Sequence, residues 1–290
     1  MFKVWFHPLF IVCIIISIAL RKMGQFFILF IIITIHELFH ILVSKKFHLT
    51  CTKWSIIPVG QMASIKNLEF QSPLKQSIIL IAGPIINLSM WGIGSSFFIS
   101  IENSYIHLFI MANFIIGIFN LLPIYPLDGG RILYGWISHY RGNLCGMKKI
   151  LKMSRYGIFA LQVFGMIQII FYPFNCSLLL VSFYLMYINK KQKLCSTYEL
   201  YKLILNKKQY MRKKELFELA SCTVIDLNTS FLKILQCFSS SRYTIFLVCH
   251  PWTQQVQMIF EMDLIDYILK NGVEGTVRDY LQIQSQQGKN

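Results

Sequence analysis

Six apolar runs order the front two-thirds of the chain, at about 8–20, 25–43, 78–101, 105–122, 156–172 and 174–189. Each is continuous in Ile, Leu, Phe and Val rather than striped along one face. A helix built from any of them is greasy on all sides, as a membrane span is. Several fall short of the ~20 residues that a span needs; the first lengthens to Phe2 if Lys3 snorkels to the surface. The last two come from one longer run broken at Tyr172-Pro173, which reads as a hairpin. From 215 onward the texture changes. SCTVIDL, RYTIFLVCH and QVQMIF read as short strands, NTSFLKILQCFSSS and EMDLIDYILKNG as helices, giving a β-α-β-β-α unit. The pattern predicts a polytopic α-helical membrane domain of six transmembrane helices over 1–189, a linker over 190–214 and a small cytosolic α/β domain over 215–290.

Composition supports the membrane reading. The 290 residues are 55% hydrophobic and 14% charged, with mean hydropathy +0.53, whereas a soluble domain carries about 25% charged residues. Net charge is +15 and unevenly spread: residues 1–189 hold 14 basic and 4 acidic side chains, and the rest 14 and 9. The stretches 44–77 and 123–155 hold five and six Lys or Arg, while the opposite connections hold only Arg21 and Lys22. Positive loops face the cytoplasm, which puts both termini in the cytosol. Nine Lys or Arg in 190–214 directly follow the last span, a placement that suits anionic lipid rather than nucleic acid. The N-terminal run lacks a small-residue cleavage site, since SIALRKMG follows it, and reads as a retained segment. The eight cysteines show no CxxC pair and read as apolar fillers.

Against that background ITIHELFHILV, at 33–43, stands out. His36 and His40 are one helical turn apart on one face, so two imidazoles can share one metal ion, with Glu37 beside them as a general base: the H-E-x-x-H arrangement of zinc peptidases. The plain alternative is a hydrogen-bonded pair of core histidines, which a bilayer setting weakens because ionisable groups there default to function. A catalytic zinc needs a third protein ligand. Asp128, in NLLPIYPLDGGR at the end of span four, is the only acidic residue between Glu102 and Glu199. Spans two and four run antiparallel, so it reaches the depth of HELFH. Alone, PLDGG is a turn signal; with HELFH at matching depth, Asp128 is the candidate third ligand.

HELFH in span two with N-x-x-P-x-x-P-x-D-G-G in span four resembles the site-2 protease family of intramembrane zinc metalloproteases. The β-α-β-β-α unit resembles a CBS module. The resemblance implies one zinc ion on His36, His40 and Asp128, with Glu37 as base. Asn120 and Pro126 of the span-four motif would contact substrate or the developing oxyanion. AGPIINL, at 82–88, matches a span-three signature and makes Asn87 a groove residue, or a partner in an interhelical hydrogen bond. WSIIPVGQMASI, at 54–65, corresponds to an edge strand that takes an extended substrate, with Gly60-Gln61 where the family has Gly-Gly. In the CBS pattern only Asp263 remains, facing the ribose of an adenine nucleotide such as ATP, or capping a helix. A single module implies pairing into a homo-oligomer. The combination is similar to the family's sporulation branch. It implies the pro-form of a late sporulation sigma factor as substrate, inhibitory membrane proteins as partners, and the outer forespore membrane facing the mother cell.

Two rivals remain open from the residues. A CBS-gated transporter or channel would use HELFH as a transported-metal site and needs polar residues in several spans, whereas spans one, five and six look nearly featureless. A non-catalytic scaffold of the same fold would have lost Glu37 or a ligand, and neither is lost.

Overall fold

The structure, a computed structural model, describes residues 3–6, 8–57, 60–98, 100–172, 175–211, 220–249, 256–272 and 275–287. His7, Pro173 and the linker's last residues 212–214 lie outside these.

All six apolar runs are helical. They form α1 (Pro8–Ala19), α2 (Met23–Lys46), α3 (Pro73–Phe97), α4 (Ser104–Asn120), α6 (Asn143–Phe171) and α7 (Ser177–Met211), with α5 (Asp128–Arg141) between the fourth and fifth. The helices α2, α3 and α6 are long and apolar enough to cross a membrane; α1 and α4 contain shorter apolar stretches. Large side chains such as Ile15, Phe27, Phe159 and Ile170 point outward. That is a hydrocarbon-facing surface and marks an integral membrane protein. The Asn103 side chain caps α4, accepting from the Tyr105 and Ile106 amides.

Three expectations change. Residues 123–155, expected as a basic loop, are mostly helix: Ile132, Leu133 and Trp136 of α5 recur at helical spacing, and the positive charges other than the half-buried Arg131 are exposed. The linker over 190–214 is not separate, because α7 runs unbroken from the apolar run through to Met211. Lys3 does not extend the first span. Lys3–Phe6 is strand β1, paired in parallel with β2 (Cys51–Ile57), and the Lys53 ammonium sits 4.7 Å above the Trp5 ring. Strand β3 (Gly60–Ile65) pairs antiparallel with the other side of β2, Trp54 opposite Ala63, and so forms a sheet edge. Residues 58–59 of the expected edge-strand segment lie outside the described residues.

The chain divides into two compact units. The first holds residues 1–68, 73–133 and 150–190; the second holds 69–72, 134–149 and 191–290. In the first, Leu49, Leu68, Ile79 and Leu80 form one buried cluster, and Ile124, Ile158 and Leu185 another.

In the second unit β4 (Ala220–Ile225), α8 (Phe231–Cys237), β5 (Tyr243–Cys249), β6 (Val256–Phe260) and α9 (Glu261–Asn271) follow the β-α-β-β-α order, with α10 (Val277–Gln287) added. Strands β4 and β5 are parallel, as a helical crossover requires, and β6 returns antiparallel. Phe231, Phe246, Leu264 and Val277 are fully buried in its core. Residues 134–149 are stitched into this unit. Asn143 Nδ2 donates to Ser240 Oγ at 2.6 Å, Arg242 Nε donates to His139 Nε2 at 2.7 Å, and His139 Nδ1 donates to Ser241 Oγ at 2.7 Å. Gly142, at φ +82°, packs so tightly on the Gln236 carbonyl that no side chain fits. Lys207, near the end of α7, is buried; its ammonium donates to the Ser239 and Arg242 carbonyls and to Glu261 Oε1. The other carboxylate oxygen of Glu261 accepts from the Thr244 amide at 2.7 Å.

Candidate metal centre and its cavity

Helical periodicity puts His36 and His40 on the inner face of α2, both 3% exposed. Asp128 begins α5 and is also buried. His36 Nε2 lies 3.1 Å from Asp128 Oδ2, His40 Nε2 lies 3.2 Å from it, and the two Nε2 atoms are 3.1 Å apart. Bonds of about 2.0–2.1 Å to a tetrahedral ion separate its ligand atoms by about 3.3 Å, close to this triangle.

The donor set also fits a cation. His40 Nδ1 donates to the Ile79 carbonyl at 2.8 Å, so its Nε2 turns a lone pair into the triangle. Asp128 Oδ2 is an acceptor as well, leaving His36 as the one source of a proton among the three atoms. A divalent ion satisfies all three. Burial opposes ionisation of Asp128, yet the His36 and His40 contacts and the Arg131 guanidinium, 3.6 Å away, hold its carboxyl well below the usual carboxylate range.

The glycines next to the ligands are needed for close approach. A Cβ at Gly83 on α3 would stand 2.5 Å from His40 Nε2 and 2.6 Å from His36 Nε2. Beyond Asp128, Gly129 and Gly130 lie against the Leu121 and Ile124 carbonyls with no room for a side chain. The segment 121–127 can therefore fold back on the start of α5 and deliver Asp128 inward.

Glu37 is one residue round the helix, and its Oε2 accepts the Ala63 amide of β3 at 2.8 Å. A cavity of about 600 Å³ opens beside these groups, lined by His36, Glu37, Asp128, Asn120, Pro126 and Gly60 among others. Gln61, where the resemblance expects a second glycine, fits the strand without distortion. Its side chain accepts from Trp54 Nε1 at 2.9 Å and donates to Thr34 Oγ1 at 2.7 Å, fastening β3 to α2.

Two expected residues fall elsewhere. Asn87 does not line the cavity. It is fully buried on α3, where Gly117 of α4 leaves it room, and its amide has no hydrogen-bond partner among the described residues. Asp263 is the third residue of α9 and exposed, while Phe260 holds the N-cap position, so Asp263 does not cap the helix. Four groups escaped the sequence reading. Gly83 is one. Gln168 of α6 and Tyr184 of α7 are two more: both line the metal cavity, so the fifth and sixth runs are not featureless. The fourth is the Ala63 amide; main-chain donors leave no trace in a residue alphabet.

Residues 25–102 and 94–164 match the family model of Peptidase family M50. A zinc metalloprotease of Methanocaldococcus jannaschii is 30% identical over 190 residues, 61% of this chain and 54% of that protein. Stage IV sporulation protein FB of Bacillus subtilis is 30% identical over 138 residues, 46% of each. The chain thus spans about half the length of these curated relatives. The solved structure of a site-2 protease from Methanocaldococcus jannaschii superposes with a TM-score of 0.50 at 27% identity, covering 64% of this chain and 88% of that one.

Proposed function

We propose that the chain, whose residues 25–164 match the model of peptidase family M50, is a member of that family and a zinc-dependent metalloendopeptidase cutting a peptide bond at the cytoplasmic side of the membrane. One observation carries the reading: His36, His40 and Asp128 converge within hydrogen-bond distance of one another, and His36, Asp128 and Glu37 stand on the wall of a cavity that the edge strand β3 also borders.

His36, His40 and Asp128 would hold the ion. When bound, zinc supplies Lewis-acid activation of water and of the substrate carbonyl. Glu37 takes the proton of the attacking water as the carbon–oxygen bond forms, then gives it to the amide nitrogen as the carbon–nitrogen bond breaks. The edge of β3 receives the substrate as an added strand, which requires a helical substrate to unwind first. Asn120 and Pro126 border the same cavity and contact the substrate there.

The substrate we propose is the pro-form of a late sporulation sigma factor, supported by the similarity to stage IV sporulation protein FB. Six spans with both termini in the cytosol, in the outer forespore membrane, belong to the same proposal, as does inhibition by membrane partners. The second unit acts as a CBS module that pairs between copies and offers Asp263 to an adenine nucleotide. Its strand and helix order supports that reading. Transport finds no comparable support, because the polar groups gather round the metal cavity.

Co-expression of the full chain with such a pro-protein, parent beside Glu37→Gln, tests the activity by gel mobility. The parent converts the substrate and Glu37→Gln does not; equal conversion by both would overturn the proposal.

A further inference from the structure

Strand β3 has one paired side and one open side. Its partner β2 lies opposite Trp54↔Ala63 and Ser55↔Met62, and no described strand pairs with its other edge. On that edge the Ala63 amide donates to Glu37 Oε2 at 2.8 Å, while Gly60, Gln61 and Met62 line the cavity with Glu37. Backbone groups of a strand alternate in direction, so the N–H of Ala63 and the groups of Gln61 point the same way, off the ladder. The substrate edge and the base therefore share one hydrogen bond.

We propose that the main-chain N–H of Ala63 is the positioning group for Glu37: it holds Oε2, leaves Oε1 for the water, and fixes the base to the strand on which the substrate lies. The inference rests on the metalloprotease reading and deepens it.

Several features single this contact out. Glu37 follows a ligand on α2 but is not in the triangle, so nothing in the metal centre orients its carboxylate. The Gln61 side chain clamps β3 to Thr34 and the Phe30 carbonyl of α2, one to two turns before Glu37, holding the Ala63 amide at a fixed distance from the helix. Ala63 itself is 4% exposed, so water does not compete for its amide. The contact also ends the ladder. With the Ala63 N–H taken, an incoming strand pairs through Gln61 and stops beside the base, which sets where its next peptide bond falls.

The test uses proline where a strand tolerates it. Proline is accepted at an edge where the N–H points away from the ladder, so Ala63→Pro deletes this donor and leaves the β2–β3 bonds in place. Parent, Ala63→Pro and Ala63→Gly, which keeps the N–H, are assayed as full-length chains in membranes, with zinc content measured on each. The expected result for Ala63→Pro is a kcat at least about tenfold lower at similar KM and full zinc content, because a small misplacement of a reacting group costs up to about 100-fold. Ala63→Gly keeps at least ten times the kcat of Ala63→Pro. A rise in KM alone would make the strand a binding element only and overturn the inference, as would an unchanged kcat. If Ala63→Pro does not fold, an ester in place of the Ala63 amide, introduced as an α-hydroxy acid, removes the same donor and is judged by the same split. A parent that cuts nothing while Ala63→Pro is folded and zinc-loaded overturns the functional reading, and the inference with it.

Discussion

Gly83 faces His40 so closely that one added carbon would stand 2.5 Å from the ring's Nε2. The contact belongs to neither residue's chemistry, yet it decides whether the imidazole can turn its lone pair to an ion. Gly83→Ala is therefore expected to push the ligand aside and lower zinc affinity by about 10–100-fold, the range in which disturbed outer-shell groups act. Metal content after dialysis against a graded chelator series measures this. An alanine variant that holds zinc like the parent would show that α3 can move away at no cost.

Asp128→Asn keeps the size of the third ligand and removes its charge. Zinc affinity should fall by more than the about 100-fold upper range for outer-shell losses, and activity should return only partly at saturating zinc. Removing the metal from the parent with a chelator and restoring it should recover full activity. The two curves separate loss of an ion from loss of a ligand.

In the second unit Lys207→Met takes the ammonium away from the buried Glu261 carboxylate, which also accepts from the Thr244 amide. An uncompensated buried charge costs about 3–5 kcal/mol, so amides of β5 and α9 should exchange faster in the full chain by hydrogen–deuterium mass spectrometry. Adding Glu261→Gln to Lys207→Met removes the stranded charge and should restore most of the protection.

Burial and the neighbouring Arg242 guanidinium lower the pKa of His139 below its usual 6.5. The folded state binds this proton less readily than the unfolded one, so the contribution of His139 to stability is whole above pH 6.5 and is lost as pH falls through the lowered value. Exchange protection near Ser241 and Arg242 should drop between neutral and mildly acidic pH. In His139→Gln that dependence should flatten.

The convergence of His36, His40 and Asp128 was legible because its determinants are local or unique. A four-residue spacing fixes His36 against His40 in any helix, and Asp128 was the one carboxylate in a long acid-free stretch. The six helices were legible for a similar reason, since continuous apolar runs have few other fates. Gly83 was hidden because its contribution is an absent side chain, visible only once α3 is rotated against α2. Gln168 and Tyr184 stand singly in apolar runs, and nothing local says which face of α6 or α7 meets the cavity. The helix α5 was read as a loop because Arg131 and Arg141 outweighed its apolar spacing. Lys207 and Glu261 are separated by 54 positions, so only the fold makes them a pair.

The two glycines after Asp128 pack against carbonyls of the preceding segment, with no volume to spare. The third ligand's location is thus encoded in main-chain contact as well as in the side chains of Ile124, which is buried in a core cluster, and Pro126, which lines the cavity. Heritable variation should thin out at 129 and 130 as sharply as at the ligands themselves, although neither glycine carries a side chain that could bind an ion.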